Sequence, residues 1–466
     1  MNWESTTSTK RNSVLQSPRS PVHPTARAGP SSPSPGTSAA TTVVTPEICA
    51  LMKEAADATG LEIDDSGSGD NDDDYENEDD EDVVQNGNYF NAGRSVYALS
   101  LHPRKRRQAS MSPSSSNGHD GATIDSARTI YPDDFDFVTE NGRQYCGDYF
   151  MPIDEEERVR QYAIHETYLR LFNKQLTTVP LNDPRYILDI GTGIGEWAIA
   201  MAERYPRAEV FGTDIAPIQP THQVPFNVEF HIEDAEDEWI RPADTVDLVH
   251  LRNLEGAFSD WSFIYSQAFA CLKPGGWIEI LDWDNVLSNG NFLSCFPDDS
   301  PAHQLVSAVL RAAEIAGKPR DAGHLDPALL RASGFVDVRE TVYDLSMSTH
   351  DDAAASYRQF WLFSVVTGFE PMCLRMLTKY LGMDPDEAKS LCREVAMETK
   401  KVAEDPQRAQ RFVVKLRVVV ARKPLPGEEV LQQQHQRFRE VNGSARDLSG
   451  DESTIGPATI RSDDTI

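Results

Sequence analysis

No apolar run in this chain approaches the ~18 residues of a membrane-crossing helix, so a spanning protein is not expected. The first residues show no cationic stretch followed by an apolar one, so secretion is not expected either. Cysteine is scarce. The six, at positions 49, 146, 271, 295, 373 and 392, form no CxxC pair. That usage fits thiols kept reduced, excludes a disulfide scaffold or a zinc ribbon, and leads us to expect no metal site. Cations are outnumbered, 44 Lys and Arg against 74 Asp and Glu for a formal charge of −30. Direct nucleic-acid binding, which needs clustered cations facing phosphate, is therefore not expected. The first 46 residues are poor in acids, yet prolines at 18, 21, 24, 30, 33 and 35 forbid the amphipathic helix of a transit peptide.

What is present is unevenly placed. Residues 1–127 are mostly Ser, Thr, Pro, Gly, Asn and Asp, and residues 426–466 are polar and rich in Gln, Arg, Ser and Asp. Both read as disordered arms around one large domain, 128–425. Within the first arm, Thr45-Pro46 and Gly60 bracket a short capped helix. Glu62–Asp82 then places 13 carboxylates in 21 residues, a block that repels itself and reads as a spacer or an interaction tail. Arg104-Lys105-Arg106-Arg107 is the one dense basic cluster, either a nuclear import signal or a charged stretch of linker.

From residue 185 strands and helices alternate. Strands are expected at 185–190, 209–213, 226–232, 246–251, 277–282, 335–343 and 412–421, with helices at 194–204, 262–271 and 303–316. This alternation predicts an α/β, Rossmann-like fold with a mostly parallel seven-stranded sheet covered by helices on both faces. A helical insertion, about 346–410, precedes the last strand.

The stretch YILDIGTGIGEW carries the chemistry: an apolar strand ends in Asp189, and Gly191, Thr192, Gly193 and Gly195 lead into a helix. Small residues let the backbone approach a ligand, and the helix start offers free amides. Dinucleotide folds favour G-x-G-x-x-G, whereas here the third glycine comes one residue early. A carboxylate at Asp189 suits a positive amine better than a pyrophosphate; the alternative is a strand-end cap. Asp214 closes the second strand 19 residues after Gly195, where an acid accepts from both ribose hydroxyls. Asp234 and Ala235 follow the third strand, within reach of an adenine amino group. His250 lies in an apolar strand, a core histidine or a general base. Arg252 and Asn253 stand just past a strand end, where open sheets place ligands. Asp282 and Asp284 are bases or a solvated rim. Tyr145 and Tyr149 close over the site or pack elsewhere, and Trp197 and Trp277 read as core.

Together with LKPGGWIEI these residues resemble class I S-adenosylmethionine-dependent methyltransferases. More narrowly, NGRQYCGDYFMPIDEEE, GTDIAPIQP, HLRNLEGAFSDW and the terminal ARKP resemble the fungal LaeA-like methyltransferase-domain family over roughly 140–424. LRN with LKPGGWIEI is similar also to ubiquinone and menaquinone methyltransferases. The resemblance implies S-adenosyl-L-methionine as cofactor, a methyl acceptor that is a protein or a small molecule, and a nuclear or nucleocytoplasmic regulator of secondary metabolism or a pathway enzyme. Regulatory partners would meet the disordered arms. Because the donor is already activated, no catalytic acid or base is required, and His250, Arg252 and Asp282 are the only candidates. A scaffold without turnover and an NAD-dependent oxidoreductase are the rival readings.

Overall fold

The computed structural model describes residues 137–428, except 223, 285–289 and 351–354, together with 52–53 and 97–99. In chain order the strands are β1 (Tyr97–Leu99), β2 (Phe137–Glu140), β3 (Arg143–Cys146), β4 (Tyr186–Ile190), β5 (Glu209–Asp214), β6 (Val228–Ile232), β7 (Val246–Arg252), β8 (Leu272–Trp283), β9 (Val336–Ser346) and β10 (Val413–Arg422). Helices α1 (Glu155–Leu171), α2 (Glu196–Arg204), α3 (Trp261–Cys271), α4 (Gly290–Leu293), α5 (Pro301–Ala316) and α6 (Pro327–Ala332) lie between them. The insertion before β10 holds α7 (Ala355–Val366), α8 (Phe369–Arg375), a π-helical turn at Met376–Tyr380, and α9 (Pro385–Glu404).

The main sheet runs β1-β6-β5-β4-β7-β8-β10-β9. Six strands from β1 to β8 pair in parallel, and β10 enters antiparallel between β8 and β9. This is the expected mostly parallel sheet of seven strands, with β1 added at its edge. Local chemistry sets the elements. The alternation of β10 buries Val414, Leu416 and Val418 on one face. Asp154 caps α1 by accepting from the Glu157 amide, with Glu155, Glu156 and Glu157 in the positive first turn and Arg170 in the last. Asp384 caps α9 in the same way, with Pro385 at the first helical position.

Side-chain alternation divides the core in two. Ile187, Leu248, Leu281 and Trp197 lie on the face covered by α1, α2 and α5, while Leu188, Val249, Ile278 and Ile280 meet α3. Tyr357–Tyr380 is a helical stretch of 24 residues, apolar and long enough to cross a membrane by those measures alone. Its window is 72% buried in the protein, so core packing accounts for its apolar character.

Several boundaries differ from expectation. The β2–β3 hairpin and α1 were not foreseen. Helix α2 starts at Glu196 because Gly195, at φ 84°, is its left-handed cap. β8 starts at Leu272, five residues early, since 272 already pairs with Val246. Two pieces of the segment 1–127, expected as an unstructured arm, belong to the folded domain. Tyr97–Leu99 pairs with β6, and Met52 is buried with Val159, Tyr162, Ala163 and Phe363. Residues 52–53 are helical, and the rest of the short helix expected between Thr45-Pro46 and Gly60 lies outside the described residues. The acidic block 62–82, the cluster Arg104–Arg107 and residues 429–466 lie outside the described residues.

Candidate functional site

The turn after β4 is built for close approach. Gly191, Gly193 and Gly195 all have positive φ, at 65°, 56° and 84°. A Cβ on Gly193 would stand 2.6 Å from Gln161 Oε1, and one on Gly195 would stand 2.6 Å from the Phe230 ring. A Cβ on Gly191 would meet Leu254 at 2.4 Å. The loop is held from below by Thr192, whose amide donates to Thr213 O at 2.9 Å and whose hydroxyl donates to Asp189 Oδ2 at 2.7 Å.

Asp214, at the end of β5, faces this loop. It accepts from the Gly193 amide at 2.8 Å and the Ala216 amide at 3.0 Å, with the Ile215 amide adding a third. Burial raises its pKa to about 6 against the pull of those amides. A carboxylate offers about four acceptor positions. Among the described residues every donor on Asp214 is backbone, and capacity for a ligand hydroxyl remains.

Asp189 is different. It is 3% exposed, and both oxygens are bonded within the protein: Oδ2 to Thr192, and Oδ1 to His250 Nδ1 at 2.8 Å. Asp189 therefore reaches the loop through Thr192. His250 is 1% exposed and lies flat on Trp197, with ring centroids 3.7 Å apart and planes 2° apart. The carboxylate, as acceptor, places a hydrogen on Nδ1, and Nε2 has no partner among the described residues. Arg252 lies above the Tyr168 ring at 4.9 Å, and its guanidinium stands 3.4 Å from His165 Nδ1. Burial, then the neighbouring Arg252 charge, pushes the His165 pKa well below its usual value. Asn253, in the left-handed region at φ 57°, accepts from the Tyr168 hydroxyl at 2.6 Å.

Asp282 is on the opposite face. It is 1% exposed and accepts from Leu254 N at 2.9 Å, Trp283 N at 2.9 Å and His324 Nε2 at 3.2 Å. With that set of donors it is a strut, not a free base. Asp284 is at the rim, 3.6 Å from Arg417. Asp234 is exposed and caps its own loop through Glu236 N, while Ala235 is half-buried and its carbonyl receives the Trp239 indole N–H. Both sit past β6, on the same strand-end side as Asp214. Trp197 is core, as expected; Trp277 is partly buried beneath the Arg339 guanidinium at 5.2 Å.

Tyr145 and Tyr149 come in on the segment at the end of the β2–β3 hairpin. Tyr145 is wholly buried, and burial pushes its phenol up to about 12. Tyr149 is raised by burial, with the Asp214 carboxylate the foremost charge acting on it. Cys146 Sγ donates to Ile215 O at 3.2 Å, which docks this segment directly on the Asp214 turn. Sequence reasoning missed Gln161, Gln219 and Leu254. Gln219 donates to Gly193 O at 2.6 Å and Ala216 O at 3.1 Å, bracing the loop from the far side. All three come from outside the glycine motif, which alone gives no signal for them.

Comparison with known proteins agrees with this geometry. A family model described as a methyltransferase domain matches residues 157–324. The chain is 32% identical over 270 residues to the methyltransferase pytC of Aspergillus terreus, covering 55% of this chain and 82% of that protein. It is 33% identical over 257 residues to the secondary metabolism regulator LAE1 of Cochliobolus heterostrophus, covering 53% and 83%. Over 154 residues it is 39% identical to the protein-methionine methyltransferase laeA of Emericella nidulans, covering 32% and 41%.

Proposed function

From the premise that this chain belongs to the fungal LaeA-like methyltransferase-domain family of class I S-adenosylmethionine-dependent methyltransferases, we propose that the cofactor lies across the Gly191–Gly195 loop. The observation that carries the reading is the pairing of that loop with Asp214, a half-buried carboxylate whose donors among the described residues are all backbone amides. The residues fit the group. Gly191, Gly193 and Gly195 let a left-handed turn pack tightly against Leu254, Gln161 and Phe230, and Asp214 keeps room for a ribose hydroxyl. When bound, S-adenosylmethionine supplies a methyl group on a sulfonium, a leaving centre that needs no acid catalyst. The chain then has only to orient and exclude water. Gly191, Thr192, Gly193 and Gly195 shape the floor, Asp189 and Gln219 fix that floor from two sides, and Asp234 with Ala235 border the base end. Arg252 ends β7 and Asn253 follows it, toward the acceptor.

Titration of the full-length protein with S-adenosylmethionine and with NAD tests this reading. Tighter binding of the methyl donor is expected, and tighter binding of NAD would reject the assignment.

The methyl acceptor and the setting are proposals of a second kind. The relatives carry the names methyltransferase, protein-methionine methyltransferase and secondary metabolism regulator. We read this chain as a regulatory methyltransferase, with the acidic block and the polar arms meeting protein partners. Neither nucleic acid nor membrane is a partner in this reading, and Arg104–Arg107 sustains a nuclear pool beside a cytoplasmic one. Labelled methyl transfer into a lysate, resolved as protein on a gel and as small molecule in an extract, separates a protein acceptor from a metabolite. Alanine at positions 104–107 in a fluorescent fusion should empty the nucleus.

A further inference from the structure

Arg375 ends α8 in the helical insertion, 235 residues after the hairpin it grips. Its side chain is 2% exposed and nearly saturated. Nε and Nη2 donate to the two oxygens of Glu140 at 2.9 and 3.0 Å. Nη1 donates to Gly147 O at 2.8 Å and Tyr149 O at 2.7 Å. The guanidinium also lies over the Tyr145 ring at 4.4 Å. A planar fork with five donors is the side chain suited to hold a carboxylate and two carbonyls at once.

The segment held in this way is pinned on its other side by the proposed cofactor site. Cys146 donates to Ile215 O, one residue beyond Asp214, and the Tyr149 amide donates to Cys146 O at 3.4 Å. Neighbouring contacts repeat the pattern. Lys379 meets Asp148 at 2.7 Å, Asn141 donates to Thr378 at 3.2 Å, and Lys389 donates to Asn141 O at 2.7 Å. Those are exposed or half-buried; Arg375 is the buried one.

We propose that Arg375 is a positioning residue for the cofactor site, acting through the Cys146–Tyr149 segment without touching the cofactor. The insertion thereby sets how closely Tyr149 stands to Asp214. This inference rests on the cofactor location argued above.

A double-mutant cycle on the full-length protein tests it, with S-adenosylmethionine affinity read by calorimetry. Arg375→Gln should weaken binding about tenfold in the parent and no more than about twofold once Tyr149→Ala is present, because coupled residues share one effect. An equal loss in both backgrounds, or no loss at all, overturns the proposal. Where Arg375→Gln fails to fold, Glu140→Gln takes its place; it removes one half of the fork and should give a smaller loss with the same dependence on Tyr149. Hydrogen exchange in the cofactor-free protein gives a reading independent of cofactor location. Faster exchange at 147–150 in Arg375→Gln supports the clamp even if Asp214→Ala leaves affinity untouched, and unchanged exchange overturns it.

Discussion

The two faces of the sheet each bury an aspartate that holds a histidine lying on a tryptophan. On one face Asp189 holds His250 against Trp197; on the other Asp282 holds His324 against Trp261, with ring centroids 4.3 Å apart. Asp214, two strands from β7, has no such histidine among the described residues and accepts there only from backbone amides. Three acids at strand ends thus divide into two interior struts and one with room for a ligand. What separates them is the kind of donor they face and their exposure, since Asp189 and Asp282 are buried and Asp214 is half-buried.

Substitutions can break that division. The largest effect should come from the loop between the acids: Gly193→Val forces a branched side chain into left-handed backbone 2.6 Å from Gln161, and calorimetry should then detect no S-adenosylmethionine binding. Retained affinity would move the site elsewhere. Asp282→Ala strands three buried donors, at about 1–3 kcal/mol each, and should lower unfolding free energy by at least ~3 kcal/mol in denaturant titration. Asp189→Ala strands Thr192 and His250, for at least ~2 kcal/mol by the same measurement. Equal losses at 189, 282 and 214 would erase the distinction.

Asp214→Ala should weaken cofactor binding by about 1–3 kcal/mol and, because Asp214 is only half-buried and water can reach the amides it leaves, should cost less stability than Asp282→Ala. The smallest effect sharpens this point. Asp214 is raised by burial to about 6, so the folded state holds its proton more tightly than the unfolded state does. Its contribution is neutral below the usual carboxylate value and becomes a cost as pH rises toward 6 and beyond. Melting temperatures from pH 4 to 7.5 should therefore fall more with rising pH in the parent than in Asp214→Ala. Cofactor affinity should rise over the same window as the acceptor ionises.

Much of this was legible before any coordinates. An apolar strand, three small residues and a helix start announce the β4 turn, and VFGTD announces Asp214, because backbone approach and burial leave strong local marks. Helix α1 left none. It buries Glu157, Arg160, His165 and Glu166 beside its apolar residues, so no clean apolar stripe shows. Those charges are tolerated because they pair within the helix, Arg160 forking onto Glu157 at 2.7 Å twice and Arg170 onto Glu166. The role expected of Asp189 illustrates a second limit. Its neighbour His250 stands 61 residues away in sequence, and only strand register brings the two together. Arg375 is the extreme case, since no local pattern around it announces a partner 235 residues back.

The order of strands has a consequence for how the chain is made. β10 is the last strand among the described residues, yet it sits inside the sheet, with β8 on one side and β9 on the other. A nascent chain that has emerged only as far as Glu404 carries the glycine loop, Asp214 and the whole insertion, but its sheet has a gap where β10 belongs. Two edges stay open across that gap, along Trp277–Trp283 and Val336–Ser346, and unpaired edges recruit other strands. Val413–Arg422, rich in valine and shaped to fill a slot flanked on both sides, closes both at once. A chaperone guarding this protein during synthesis would have its longest task in that interval, and a frameshift shortly before residue 413 would release a product that aggregates.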